Sequence, residues 1–172
     1  SGDIILKRTP FRITMIIMLS LTFVIIFNFS NQGGTESSGL SRKVARIIID
    51  QLPQTKKLTE QAKNEAVEKS QTIIRKGAHL SIYALVGLLM MNLMCTYKIS
   101  NKNKFLITIL VGIIYASSDE IHQSFIPGRT AAFTDVCIDT CGAILGSLIA
   151  FGCINCYIKL KKKRGHISFL KY

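Results

Sequence analysis

Ionisable side chains are crowded into one short stretch of the chain, between two long apolar runs. The stretch reads "SSDEIHQSFIPGR" over 117–129, and Asp135 and Asp139 follow shortly after it. Carboxylates beside a histidine can act as general acid and base, and carboxylate-rich sites also hold hard divalent cations. An arginine offers a planar fork that matches phosphate. These residue types indicate acid–base chemistry, a divalent cation or an anionic ligand.

The flanking runs predict helices that cross a membrane. The chain has 172 residues, of which 48% are hydrophobic, and the apolar ones are concentrated in blocks. A spanning helix needs about 20 mostly apolar residues. Four blocks fit, at 13–29, 78–97, 105–123 and 133–158. The first is long for the apolar part of a cleaved signal peptide, so we expect a retained anchor. The sequence therefore predicts an all-α membrane protein with a four-transmembrane-helix bundle at 13–158.

Basic residues predict the orientation of this bundle, because short basic segments remain in the cytoplasm. Such segments are the N-terminal tail 1–12, the loop "YKISNKNK" and the C-terminal tail 159–172. With four spans these three segments share one side, so we expect both termini in the cytoplasm. Ser1 and Gly2, with no initiator Met, are expected to derive from an expression vector.

The segment 37–76 between the first two spans is then extracytoplasmic, and it predicts a partly amphipathic helical segment. Its apolar residues follow the spacing of one helical face: Leu40, Val44, Ile47 and Ile48. Its basic residues Arg42, Lys43 and Arg46 lie off that face, which is typical of a helix on anionic headgroups. Pro53 ends the helix, and a polar helix with i,i+4 charge pairs follows. A cap over the outer ends of the spans, without chemistry, is the alternative.

Helix dipoles draw attention to two pairs of charges. Asp119 and Glu120 fall at the C-terminal end of the third span, where the dipole is already negative. Arg75 and Lys76 fall at the start of the second span, where it is positive. Both placements are easiest to tolerate if the acids face the bases, or if a cation lies among the acids.

Polar residues on three spans predict one shared pocket. An ionisable group at mid-bilayer costs roughly 2.5–3.5 kcal/mol, so such groups usually face a cavity. The candidate ligand-binding residues are Lys76, His79, Tyr83, Asp119, Glu120, Gln123, Arg129, Asp135 and Asp139. The candidate catalytic residues are Asp119, Glu120, His122 and Asp135. Arg129 either pairs with a lipid phosphate or holds Asp135, and a purely structural ion-pair network is the alternative for the acids.

Small residues in the fourth span predict close helix packing. Gly142, Gly146 and Ala150 form a row of the kind that lets two helices approach. The cysteines, among them Cys153 and Cys156, are expected to be small apolar packing residues, because no second pair or nearby histidine completes a metal site.

The run "DEIHQSFIPGR", followed by "FTDVCIDTCGAILG", resembles the VanZ-like family of small bacterial membrane proteins. "FSNQGGTESSGLS" and "RKGAHLSIYALVGLL" support the resemblance, which extends over about 29–146. It implies a four-helix domain in a bacterial cell membrane and a relation to glycopeptide (teicoplanin) resistance, but no biochemical activity. The signature that it implies is Asp119, Glu120, Gln123, Arg129 and Asp135. The chain departs from the family pattern at Asp139, where members often carry Asn, and at His122, which is not universal.

These observations favour a protein that binds or handles an anionic or lipid-linked envelope component, such as a lipid-linked cell-wall precursor. Arg129, Lys76 and Arg75 would hold its phosphate. The alternative is a divalent-metal-dependent hydrolase or transferase acting on an envelope lipid, so whether the protein is an enzyme is left open. No cofactor is assigned, a divalent cation is left open, and so is the oligomeric state. The predicted partners are membrane lipids; nucleic acid is disfavoured because topology and headgroups account for the net charge of +12.

Overall fold

The computed structural model describes the backbone of residues 2–169 and the side chains of residues 9–161. Within that part of the chain all regular structure is helical. The helices are α1 (Gly2–Ser30), α2 (Gly34–Gln51), α3 (Glu60–Met94), α4 (Asn101–Gln123) and α5 (Phe133–Phe169), with a 3₁₀ turn at Pro53–Thr55. The prediction of an all-α protein is confirmed.

Four of these helices are long and apolar enough to cross a membrane. The candidate spans are Thr9–Ser30, Glu60–Met94, Asn101–Gln123 and Phe133–Lys161. Many of their large apolar side chains, such as Ile17 and Ile114, are exposed on the outside of the bundle, as expected for helices surrounded by lipid. The four predicted spans are therefore confirmed by length and composition.

The polar helix expected before the second span is continuous with that span. Both belong to α3, whose 35 residues reach roughly 52 Å, well beyond a hydrocarbon core of about 30 Å. Thr59 caps this helix, because its side chain accepts a hydrogen bond from the Ala62 N–H. Arg75 and Lys76 consequently lie in the helix interior. Their predicted conflict with the helix dipole was wrong, because dipole effects fade within the first turn.

The α2 helix packs on the polar N-terminal part of α3. Ala45 and Ile49 of α2 are buried against Val67 of α3. Arg42 pairs with Glu68 at 2.8 Å, so this basic residue faces an acidic partner on α3. The predicted apolar face of α2 remains exposed, and its contact with lipid stays a prediction.

The closest packing in the bundle joins α3 to α5 and depends on glycine. A Cβ added at Gly142 or Gly146 would overlap the carbonyl oxygen of Leu80 or Ala84. Gly87 of α3 is equally close to the backbone of Ala143. The packing role predicted for the small-residue row is confirmed. Cys95 is partly buried, but Cys137, Cys141, Cys153 and Cys156 are exposed on the outside of the bundle, so the packing role predicted for the cysteines is wrong for these four.

Contacts between loops define two ends of the bundle. At one end Arg12 of α1 donates hydrogen bonds to the side chain and carbonyl of Thr96, both at 2.8 Å, and lies over the Tyr97 ring. At the other end the Gly34 N–H donates to the Pro127 carbonyl at 3.1 Å. The N-terminal end of α1 and the α3–α4 loop thus share one end, and the α1–α2 and α4–α5 loops share the other.

Candidate functional site

The acidic groups at the end of α4 lie beneath the joined α1–α2 and α4–α5 loops. Gly128 adopts a left-handed conformation with φ of 76°, and the Gly34 backbone packs so closely on it that a side chain at Gly34 would overlap the Gly128 carbonyl. Glycine is required where backbones meet this closely. The contact between the two loops closes the end of the bundle over the polar residues.

Asp119 is buried at the centre of this region. The Ser30 hydroxyl donates to its Oδ1, and Gln123 Nε2 donates to its Oδ2 at 2.9 Å. A buried carboxylate requires such donors, because an unpaired charge in a dry interior is very costly. Asp119 and Gln123 are both buried, so this pair lies in the interior of the bundle.

Arg129 reaches the same network from the α4–α5 loop. Its Nη1 donates to Gln123 Oε1 at 2.6 Å, and its Nη2 donates to the Phe29 carbonyl at 3.2 Å. Its Nε is buried and has no hydrogen-bond partner among the described residues. Burial lowers the pKa of the Arg129 guanidinium, and the positive charge of Arg75 lowers it further. The positive charge of Arg129 is therefore only partly balanced by neighbouring groups of the protein.

Glu120 joins the start of α5 to the end of α4. Its Oε2 accepts a hydrogen bond from the Ala132 N–H at 2.9 Å, next to the first turn of α5. A carboxylate at this position is favoured by the dipole of α5. Its other oxygen, Oε1, is buried without a hydrogen-bond partner in the described part of the chain.

Asp135 pairs with Lys76. The Nζ of Lys76 lies 3.1 Å from Asp135 Oδ1, and both side chains are partly exposed. Asp135, one of the two partners predicted for Arg129, therefore pairs with Lys76 of α3 instead. This ion pair links α3 to α5 at the rim of the polar region.

His79 and Asp139 face each other one turn deeper. His79 Nδ1 lies 3.5 Å from both carboxylate oxygens of Asp139, whose side chain is fully buried. Tyr83, one turn further along α3, is also fully buried, and its hydroxyl has no hydrogen-bond partner among the described residues. One donor atom from each of His79, Asp119 and Asp139 lies within 4.8 Å of the others, so these three could hold a metal ion.

His122 is not brought to the carboxylates. Its Nε2 lies 3.0 Å from Asn31 Oδ1, and its ring stacks on Phe27 with centroids 4.9 Å apart. Both His122 and Asp119 have partners near the C-terminal end of α1, but His122 contacts Phe27 and Asn31, whereas Asp119 contacts Ser30. Its candidate catalytic role has no support from this geometry.

A partly open cavity of about 470 Å³ adjoins the polar network. Arg75, Arg129 and His79 contribute its ionisable lining. Much of the remaining wall is apolar, with Ile26, Phe29, Leu40, Ile82 and Leu85 among the lining residues. A cavity lined by both cationic and apolar side chains suits an amphiphilic anion.

Ser30 was not among the candidate residues predicted from the sequence. Ser30 donates to Asp119, and only its position at the end of the first apolar block could have indicated it. Arg75, predicted with Arg129 and Lys76 to hold a phosphate, lines the cavity together with Arg129.

Four apolar helices of membrane-spanning length, with buried polar groups at one end, define a multi-pass helical membrane protein. The family model described as VanZ/LLP1 matches residues 15–155. The chain therefore belongs to the VanZ-like family, which confirms the resemblance predicted from its motifs. No curated protein sequence and no solved structure shows a significant match to the chain.

Proposed function

We propose that this protein binds an anionic, lipid-linked component of the cell envelope in the cavity beside Arg75 and Arg129. One observation carries the proposal: two arginines line the same apolar-walled cavity, and the Nε of one of them is buried without a partner. A buried N–H without a partner costs about 1–3 kcal/mol, which a phosphate oxygen would recover.

The charge of the cavity favours a phosphate over a neutral headgroup. Arg129 keeps only indirect contact with Asp119, through Gln123. Arg75 has no hydrogen-bond or ion-pair partner within the described side chains and adds a second positive charge to the lining. An anion between the two guanidinium groups relieves their repulsion, and arginine provides parallel donors for phosphate oxygens.

The apolar part of the wall favours a lipid over a free anion. Ile26, Ile82 and Leu85 line the cavity, and they come from two spanning helices, α1 and α3. A hydrocarbon chain against them would remain out of water, at about 25 cal/mol per Å² of buried apolar surface. The lining therefore suits a phosphate joined to an acyl or prenyl chain.

The proposal includes the side of the membrane and the biological setting. Lys98 of the α3–α4 loop and Lys102 and Lys104 in the first turn of α4 lie at the end of the bundle opposite the cavity. Under the positive-inside rule this supports an extracytoplasmic cavity and cytoplasmic termini in a bacterial cell membrane. A protein that holds a lipid-linked cell-wall precursor there would change how much of it a glycopeptide can reach. Such binding would link the cavity to the teicoplanin resistance that the family resemblance implies.

Binding can be measured with purified protein in detergent by native mass spectrometry. The probes are phosphatidylglycerol, a polyprenyl phosphate, inorganic phosphate and zwitterionic phosphatidylcholine. Because a charge-assisted hydrogen bond contributes about 1.5–3 kcal/mol, Arg75→Gln and Arg129→Gln should each weaken the anionic lipid about 10- to 100-fold.

Arg42→Gln is the matched control, because this arginine lies outside the cavity and pairs with Glu68. Tighter binding of the polyprenyl phosphate than of phosphatidylglycerol supports a precursor as the ligand, and the reverse supports a phospholipid. Equal binding of phosphatidylcholine, or equal loss in all three variants, overturns the proposal. Arg75→Gln keeps the test valid if Arg129→Gln does not fold.

A second candidate function is hydrolysis or group transfer on the bound lipid. It is favoured by His79, which lines the cavity and faces the Asp139 carboxylate at 3.5 Å. A histidine oriented by a carboxylate can act as general acid or base, which typically contributes 10²–10⁴-fold to a rate. Release of phosphate from a polyprenyl diphosphate by the wild type, lost in His79→Gln, would support this function. No release above that of a detergent blank would exclude it for this substrate.

A further inference from the structure

His79, Asp119 and Asp139 come from three different helices and converge on one point. Each offers one donor atom, and these atoms all lie within 4.8 Å of one another. Asp119 and Asp139 are buried, and His79 is partly buried beside the cavity. Two carboxylates at this depth bring negative charge that a single histidine cannot balance.

The distances within this group do not fit ordinary hydrogen bonding. His79 Nδ1 lies 3.5 Å from each carboxylate oxygen of Asp139, whereas N–H···O hydrogen bonds measure about 2.7–3.2 Å. Two ligands that are each about 2.1 Å from a tetrahedral ion lie about 3.4 Å apart. The observed separation therefore matches two donors that share a metal ion.

Unpartnered oxygens at the same point give an independent indication. Asp139 Oδ1 is buried and has no hydrogen-bond partner in the described part of the chain, although its side chain is fully buried. The hydroxyl of Tyr83, one turn beyond His79 on α3, is also buried without a hydrogen-bond partner among the described residues. Buried polar oxygens normally have partners, so this arrangement leaves room for a ligand.

The surroundings of Asp119 resemble the outer shell of a metal site. The Ser30 hydroxyl and Gln123 Nε2 donate to its two oxygens, and each oxygen keeps a second lone pair. Hydrogen bonds of this kind orient ligating carboxylates in metalloproteins.

We propose that His79, Asp119 and Asp139 bind one divalent transition-metal ion, with Zn²⁺ the best match. A nitrogen donor with two carboxylates suits Zn²⁺ better than Mg²⁺ or Ca²⁺, which prefer six or more oxygens. Two carboxylates, a neutral imidazole and a divalent ion together carry no net charge. Three protein ligands leave a fourth position, and His79 connects the site to the cavity. A metal there would supply a Lewis acid to a bound phosphate.

The test uses the full chain, purified in detergent, treated with a chelator and then titrated with Zn²⁺, Mg²⁺ or Ca²⁺ by calorimetry. Elemental analysis after dialysis gives the stoichiometry. We expect one Zn²⁺ per chain and no comparable binding of the other two ions. His79→Gln and Asp139→Asn should abolish one-to-one binding. Ser30→Ala, which removes only an orienting donor, should weaken it about 10- to 100-fold.

Two matched controls lie outside the group. His122→Gln removes a histidine that contacts α1, and Asp135→Asn removes a carboxylate that pairs with Lys76. Both should bind Zn²⁺ like the wild type. Cobalt substitution gives a second readout, since a tetrahedral site produces an intense visible absorption that Asp139→Asn should remove while the fold is retained.

Substoichiometric zinc in the wild type would overturn the proposal and leave His79 and Asp139 as an ion pair. Equal zinc binding by His79→Gln would also overturn it, because the ion would then lie elsewhere, for example on the exposed cysteines. Since zinc is titrated without lipid, this test and the lipid-binding test can fail independently.

Discussion

The contact between α3 and α5 allows a quantitative prediction from a single pair of glycines. A Cβ at Gly146 would overlap the Ala84 carbonyl oxygen and also approach the Leu88 backbone. A Cβ at Gly152, further along the same helix, would meet nothing within 4 Å. Gly146→Ala therefore forces two backbones apart, whereas Gly152→Ala changes only the helix propensity.

Comparing the two variants removes the propensity effect, because Ala replaces Gly in α5 in both. What remains is overpacking, which typically costs about 1–3 kcal/mol. For a protein of this size 1 kcal/mol shifts Tm by roughly 2–4 °C, so Gly146→Ala should melt about 2–12 °C below Gly152→Ala. Thermal denaturation of both variants in the same detergent measures this difference, with far-UV circular dichroism as the readout of helix content. Equal Tm values would refute the close approach of α3 and α5.

The remaining predictions concern polar contacts between helices. Lys76→Met and Asp135→Asn should show a coupling of about 0.5–3 kcal/mol in a double-mutant cycle, and strictly additive effects would contradict the ion pair between α3 and α5. Arg12→Lys should lower Tm by several degrees, because lysine loses both the fork to Thr96 and the stacking on Tyr97. A variant as stable as the wild type in the same thermal assay would show that this contact does not hold α1 to the α3–α4 loop.

Composition and hydropathy were sufficient to predict the membrane architecture. A span must satisfy its backbone internally and expose apolar side chains, so length and hydrophobicity determine it almost alone. The small-residue row was predictable for a similar reason, since Gly142 and Gly146 serve no other purpose in an apolar helix. The continuity of α3 was missed because polar and apolar stretches look like separate elements when only hydropathy is read.

The sequence predicted which helices contribute to the site, but it did not predict which side chains contact each other. Asp135 and Asp139 were both predicted to line one shared pocket, yet the structure gives them different partners, Lys76 and His79. Which side chains pair depends on how each helix is rotated about its axis and how deep it lies in the bundle. Helix packing determines both, and the periodicity of the sequence does not reveal it.

We propose above all that Arg75 and Arg129 hold an anionic lipid in a cavity among α1, α2 and α3. A cryo-electron-microscopy map of the protein in nanodiscs containing phosphatidylglycerol tests it most directly. The claim predicts headgroup density between the two guanidinium groups, with a chain running along Ile82 and Leu85. A cavity filled by side chains, or an Arg129 side chain directed into bulk solvent, would contradict it.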